Sequence, residues 1–445
     1  MCNVMKIAFV TLPRTHGFAL TEDCCWGLTR ARYLPAALLA SASQVESSFF
    51  FDLSIEPPEN LELLKPDLIV YSLFPYLPTI AGLLHSIMSK VCEGVPKIVL
   101  AVPPGYMEDY ARLEPNPFCV VYSEPEAVFS DFHVASKEEL VEWRSGSRGT
   151  AWVDEAGFHR TEPMRTCIHA IKGTDWDLVP PSYWFHYDRV IYQISRGCPW
   201  RCNFCVWGGS TVTDLTFRMR PAEQVASDLT KLRETASRYM YGVAAIPLQT
   251  LSAQLTTDSR WIQEYHALME DRPYPFQGNI NLREVTEEKL ELLSQAGMNL
   301  FFAGLEGLTD PLLRRMNKPH SFEDVIESIR ILNESGVNYS LKLISGGYGE
   351  TQSEIRECLD NIEVMRRRGI GHSKIVMGGP IVYYKGTVIA ENPPEELAYD
   401  MRHKGLRQRY IHADEWITVR RKLRDYNLLD RVNSDYPVRR LKRPI

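Results

Sequence analysis

The chain has 445 residues, too many for one ordinary domain, so two or three are expected. Apolar residues make up 44% and charged residues 24%, the balance of a folded globular protein rather than a fibre or a disordered chain. The net charge of −6 disfavours a nucleic-acid partner, and without an 18-residue apolar run no membrane partner is expected either. The opening Met1-Cys2-Asn3-Val4-Met5-Lys6 lacks signal-peptide design. Ten cysteines, scattered apart from Cys24-Cys25 and one triplet, suit a reducing cytoplasm, the expected location. The basic tail Arg439-Arg440-Leu441-Lys442-Arg443 reads as a solvated chain end.

Over residues 1–135 strand and helix signals alternate. Short apolar runs rich in β-branched and aromatic residues at 6–10, 48–52, 67–72, 97–102 and 118–122 are strands. Amphipathic stretches separate them, such as 78–91 with its stripe of Ile80, Leu83, Leu84, Ile87 and Met88. Continuous apolar strands with helical crossovers predict a parallel sheet buried on both faces, a Rossmann-like domain. Such sheets take ligands beyond the carboxyl ends of their strands. Those ends read Thr11-Leu12-Pro13, Ser72-Leu73-Phe74, Pro103-Pro104-Gly105 and Ser123-Glu124-Pro125-Glu126. Residues 136–188 are read as a connector with a small hairpin over 151–158.

From 189 to 391 the alternation restarts, with strands expected at 190–195, 240–246, 276–282, 299–305, 338–345 and 373–378. Helical periodicity fills the gaps, as in the leucine spacing after Thr286. Six such units predict an α/β core that is a partial (β/α)6 barrel, whose chemistry gathers at the C-terminal strand ends. Residues 392–445 turn polar and basic around Trp416 and are expected to form a small helical cap.

After the first core strand comes Ile194-Ser195-Arg196-Gly197-Cys198-Pro199-Trp200-Arg201-Cys202-Asn203-Phe204-Cys205. Three thiolates this close can converge on one face of an iron–sulfur cube, leaving a fourth iron open for chemistry. Zinc is the competing reading, although it wants a fourth Cys or His and the nearest downstream cysteine is Cys358. Ordinary burial explains isolated cysteines, not three in eight residues.

The spacing of Cys198, Cys202 and Cys205, with aromatic Phe204 before the last, resembles the radical S-adenosylmethionine (SAM) superfamily. The resemblance implies a 4Fe-4S cluster whose open iron is chelated by SAM, and cleavage of the sulfonium to a 5′-deoxyadenosyl radical. It extends over the second half. Phe217-Arg218-Met219-Arg220-Pro221 matches the end of the first unit, and Asn281-Leu282-Arg283 matches a polar position near SAM. Ala303-Gly304-Leu305-Glu306 matches the fourth-strand Gly-x-Glu, and Gly346-Gly347 the turn approaching the adenine. Phe204, Arg283, Glu306 and Gly346 are therefore implied SAM contacts. A sulfonium nucleotide with a carboxylate does need an acid, a base and close backbone approach. The second-strand Gly-Gly-Glu-like contact is missing, and Gln249 or Thr250 stands in its place.

The first half resembles the cobalamin-binding domain of one radical SAM subgroup, which implies corrin contacts at Ser72, Gly105 and Ser123. No Asp-x-His-x-x-Gly is present to supply cobalt with a histidine; His16 is the one candidate and reads better as a loop residue. The implied function is cobalamin-dependent methylation of an unactivated centre in a small metabolite, with an electron donor such as flavodoxin or ferredoxin. A cobalamin-free radical enzyme (rearrangement, epimerisation, cyclisation or oxidation) and a zinc-loop binding protein are the alternatives. No catalytic residue is assigned. Trp207 and Tyr383-Tyr384-Lys385 line a pocket or merely pack.

Overall fold

The computed structural model describes residues 5–12, 33–73, 78–101, 104–164, 168–208, 216–240, 245–250, 254–347, 349–370, 374–378, 384–393 and 413–429. His16, Cys24-Cys25, Tyr383 and the basic tail lie outside the described residues.

In the first half the strands are β1 (Ile7–Thr11), β2 (Tyr33–Pro35), β3 (Ser48–Asp52), β4 (Leu68–Ser72), β5 (Lys97–Leu100), β6 (Cys119–Val121), β7 (Thr150–Asp154) and β8 (Gly157–Arg160). All but β2 join one sheet in the order β3-β1-β4-β5-β6-β7-β8. Its first five strands are parallel, and β7 and β8 continue it antiparallel. The hairpin expected at 151–158 is thus the far edge of this sheet. Alternate residues serve opposite faces. Phe9, Phe50, Val70, Ile98 and Val121 enter one core, which also takes helices Ala36–Ala42 and Pro125–Ser130. Ala8, Val10, Phe51, Tyr71, Val99 and Val120 enter another. Both faces are covered, as continuous apolar strands require. The parallel strands, counted along the chain, lie in the order second, first, third, fourth, fifth. That places the topological switch point between β1 and β4.

The second half contributes β9 (Arg189–Tyr192), β10 (Ser195–Arg196), β11 (Arg218–Met219), β12 (Leu248–Thr250), β13 (Phe276–Ile280), β14 (Met298–Glu306), β15 (Tyr339–Ile344) and β16 (Ile375–Gly378). A parallel seven-stranded sheet runs β16-β15-β14-β13-β12-β9-β2, so the first half lends its β2 to the core's edge. Helices Ala222–Tyr239, Ser259–Met269, Glu287–Gln295, Phe322–Glu334 and Gln352–Arg367 cross between these strands. Side-chain caps fix where they start: Thr351 and Ser321 form reciprocal capping boxes with Glu354 and Asp324.

The second core strand differs from expectation. Of the expected 240–246 strand, 241–244 lie outside the described residues; 245–247 make no strand, and the ladder to β9 runs over Leu248–Thr250. Pro247 has no N–H to donate, so it offers only its carbonyl, to Val190 N at 3.0 Å. The apolar run drew the reading upstream of the polar Leu-Gln-Thr that pairs. The first core strand also breaks after Tyr192, and β10 then pairs antiparallel with β11.

The segment before β9 is a shared interior. Trp176 and Trp184 are buried in the core common to both sheets, and the Tyr187 hydroxyl donates to Asp52 at 2.7 Å. The described part of 392–445 is dominated by helix Ala413–Asp425. Its Trp416, Val419 and Leu423 enter the same core. Among the described residues no helix is long and apolar enough to cross a membrane.

Candidate active site

The cysteine loop is seated by the turn that follows helix Asp310–Arg315. The Asn203 side chain donates to the Arg315 carbonyl at 2.7 Å and its backbone N–H to Met316 at 3.2 Å. The Asn317 amide returns a bond to the Arg201 carbonyl at 2.6 Å. Phe204 packs against the buried cluster of Leu312, Met316 and Ile389, which Ile344 at the end of β15 also meets. The Trp207 N–H donates to Cys205 Sγ at 3.4 Å.

Cys198 and Cys202 are buried and Cys205 partly so. Burial pushes the thiols up, Cys198 to about 11 and Cys205 to about 12, and Cys202 in the same direction. Lys318 sits among them and opposes the rise at Cys198 and Cys202. Its own side chain is only 10% exposed, with Nζ 3.6 Å from Glu306 Oε1. Burial works against its charge, but Cys202, Glu306 and the other two cysteines outweigh that and hold the ammonium above the usual lysine range. All three thiols act on Lys318, and soft sulfur donors are the chemistry an anionic iron–sulfur cube takes, but among the described residues no three cysteines, histidines or acids are gathered closely enough to hold one metal ion.

Glu306 closes β14 with φ +59°, a left-handed conformation costing a non-glycine residue about 1–3 kcal/mol. The ladder to β15 shifts register between Gly304 and Glu306. A Cβ on Gly304 would overlap the Glu306 carboxylate, so glycine there leaves the space in which that carboxylate turns back toward Lys318. Strain at a strand end, maintained by a neighbouring glycine, aims an acid at the loop. Arg283 lies in the 3-10 turn Leu282–Glu284, capped by Asn281, and its guanidinium donates to the Pro319 carbonyl at 3.1 Å. Cys198, Cys202, Glu306 and Arg283 therefore meet around Lys318-Pro319.

Gly346, with φ +89°, heads the turn after β15. The next N–H, of Gly347, donates to Glu350 at 3.2 Å, and the Trp416 indole donates to the same oxygen at 3.0 Å. Burial pushes the Glu350 carboxyl up to about 7, and its other oxygen is buried without a protein partner. At the end of β12, Thr250 lies opposite Tyr192 and shares its core-ward face, so Gln249 points the other way. Gln249 Oε1 and Gln193 Nε2 are buried polar atoms without protein partners, able to receive polar groups of a ligand.

The residues expected to meet a corrin fare differently. Ser72 ends β4, beside the switch point. Ser123 Oγ accepts the Met164 N–H at 3.0 Å. The space a Gly105 side chain would need is occupied by the backbone of Lys385 and Gly386, beyond β16. Gly105 and Ser123 thus each already make a close contact within the protein. On the same side, Glu124 pairs with Arg218, and Glu126 with Arg196 and Arg220. The strand ends of the first sheet face those of the second across these contacts.

Several of these residues had not been singled out by sequence. Lys318 lies in Met316-Asn317-Lys318-Pro319, which reads as an exposed turn; its one signal is that it follows the Gly-x-Glu strand by a single short helix. His320, buried beside it, is pushed down to about 3 by burial and then by Lys318, and so is a neutral imidazole.

Residues 192–362 match the model of the radical SAM superfamily. Over 157 residues, 34% of this chain and 28% of the relative, the sequence is 26% identical to hopanoid C-3 methylase of Methylococcus capsulatus. The chain spans about half or less of the length of the curated relatives it matches. The solved structure of OxsB, a cobalamin-dependent SAM radical enzyme with aqua-cobalamin and SAM bound, superposes with a TM-score of 0.65 at 15% identity. That match covers 97% of this chain and 64% of OxsB. TsrM, a radical SAM methyltransferase from Kitasatospora setae, gives 0.67 at 14% identity, over 89% of this chain and 77% of TsrM. At such identities the likeness is one of fold, and it runs through both sheets. Residues 192–362 thus match the radical SAM family, and a Rossmann-like sheet precedes that stretch in the fold shared with OxsB and TsrM.

Proposed function

We propose that this radical SAM enzyme transfers a methyl group to an unactivated centre of a small metabolite, holding a 4Fe-4S cluster on Cys198, Cys202 and Cys205. The observation that carries the cluster assignment is the largely buried Lys318, paired with Glu306 and acting on all three cysteines at the C-terminal strand ends. The cluster supplies the electron that cleaves SAM, and cobalamin, where bound, supplies a methyl carrier. Lys318 and Arg283 provide cationic donors for the SAM carboxylate, and Glu306 provides an acceptor for its ammonium or ribose hydroxyls. Gly346 and Phe204 are assigned to the adenine side, and the burial of Cys198 and Cys202 limits the approach of water to a radical. A reduced flavodoxin or ferredoxin is the class of donor required.

Methyl transfer is supported by the fold shared with OxsB and TsrM, by the hopanoid methylase match and by the switch point at Ser72. The close protein contacts that Gly105 and Ser123 already make favour a second reading, a radical SAM enzyme that works without cobalamin. Anaerobic reconstitution separates them. Iron, sulfide and cobalt are counted per chain, and 5′-deoxyadenosine is measured with dithionite. Near four irons and one cobalt support methyl transfer; four irons, no cobalt and continued 5′-deoxyadenosine support the second reading; no 5′-deoxyadenosine defeats both.

A further inference from the structure

At the C-terminal end of β6 the sequence Ser123-Glu124-Pro125-Glu126 places two acids where a corrin-binding turn was expected. Both carboxylates instead reach the core. Glu126, whose side chain has no exposure, takes Arg196 on both oxygens, and Arg220 Nη2 lies 3.6 Å from its Oε1. Glu124 takes Arg218, with Nη1 3.4 Å from its second oxygen. Arg196 and Arg218 are cross-strand partners in the β10–β11 pair, and only Gly197 separates Arg196 from Cys198. Arg220 is fixed in turn: its N–H donates to Ile194 at 2.8 Å and its carbonyl accepts the Trp261 indole at 2.7 Å. The base of the cysteine loop is therefore gripped by acids of the other sheet's strand end.

Desolvating such charges makes a buried ion pair a poor source of stability, and apolar packing would hold two domains together as well. What charged, multiply bonded contacts provide is a fixed geometry. We propose that Glu126, assisted by Glu124, is a positioning residue for the SAM reaction: through Arg196 it sets the place and electrostatic environment of the loop that carries Cys198. The proposal rests on the radical SAM reading above. It gives the N-terminal sheet a role in the chemistry of the core whether or not that sheet holds a cofactor.

The test compares the reconstituted full-length protein with Glu126→Gln and with the double variant Glu126→Gln/Arg196→Met. Iron and sulfide content, the midpoint potential of the cluster and steady-state 5′-deoxyadenosine formation are measured in each. Glu126→Gln should keep its iron and sulfide while the potential moves positive, because a buried negative charge has gone and Arg196 remains. The double variant, with both charges removed, should return the potential toward wild type. In both, kcat for 5′-deoxyadenosine should fall on the order of ten- to a hundredfold, the cost of a misplaced reacting group. If a variant loses only denaturant resistance, with potential and kcat of the folded protein unchanged, the contact is structural and the proposal fails. Should Glu126→Gln not fold, Glu124→Gln decides by the same readouts. A wild type that holds no cluster defeats the radical SAM reading itself, a result distinct from both.

Discussion

Replacing Lys318 by Met tests the electrostatic design of the site most directly. The side chain lengths are similar, so the change removes a buried ammonium and little volume. At 3.6 Å from Glu306, and with an effective dielectric of about 20, the lost attraction is about 5 kcal/mol before desolvation is counted. Desolvation offsets much of it, and Glu306 keeps 18% exposure. The net loss of stability is therefore expected at about 2–3 kcal/mol, below the range for breaking a fully buried pair. The double variant Lys318→Met/Glu306→Gln leaves no orphaned charge and should recover most of that loss. SAM affinity should not recover, because its carboxylate still lacks a charge-assisted donor worth about 1.5–3 kcal/mol, roughly ten- to a hundredfold in Kd. Urea unfolding and anaerobic calorimetric titration of SAM read the two quantities separately. A double variant that binds SAM as tightly as wild type would return Lys318 to a purely structural role.

Four further outcomes are expected. Replacing Cys198, Cys202 and Cys205 together by Ala should abolish the visible iron–sulfur absorption and all 5′-deoxyadenosine formation; a triple variant with full iron would refute the ligand set. Arg283→Met, which frees the Pro319 carbonyl, should weaken SAM binding while iron content stays constant, checked by titration and iron analysis. Glu350 has its folded pKa raised from 4.5 to about 7, so the native state holds a proton the unfolded chain releases. The stabilisation is complete below 4.5 and fades as pH rises through about 7, by about 3 kcal/mol in all. Glu350→Gln should lack this slope, so its stability relative to wild type should climb over that window in urea melts at several pH values. Gly105→Val should lower stability by about 1–3 kcal/mol or more by displacing the Lys385 backbone, in cobalamin-free protein as in any other; an unperturbed urea midpoint would contradict the packing.

Much of this architecture was legible because the physics is local. The apolar runs at 48–52 and 67–72 are strands buried on both faces, and they become β3 and β4 almost unchanged. The spacing of Cys198, Cys202 and Cys205, and Gly304-Leu305-Glu306 at a strand end, carry the family resemblance from which roles for these residues are inferred. What escaped was set by tertiary contact. The polar strand Leu248–Thr250 carries no apolar signal because its neighbours, not its composition, make it a strand. Lys318 reads as a surface residue until helix Asp310–Arg315 folds it under the loop. Glu124 and Glu126 read as a ligand turn because the arginines that take them lie 70 to 94 residues further along the chain.

Strand β2 carries one more consequence. Its three residues sit early in the chain yet complete the margin of the core against β9. A fragment starting near residue 136 would lack that strand and present β9 as a bare edge, the kind of surface on which chains pair with one another and aggregate. The two halves are interlaced rather than strung together. Efforts to express the catalytic half alone should yield insoluble material, whereas co-expression of residues 1–135 in trans offers a way to restore the missing border.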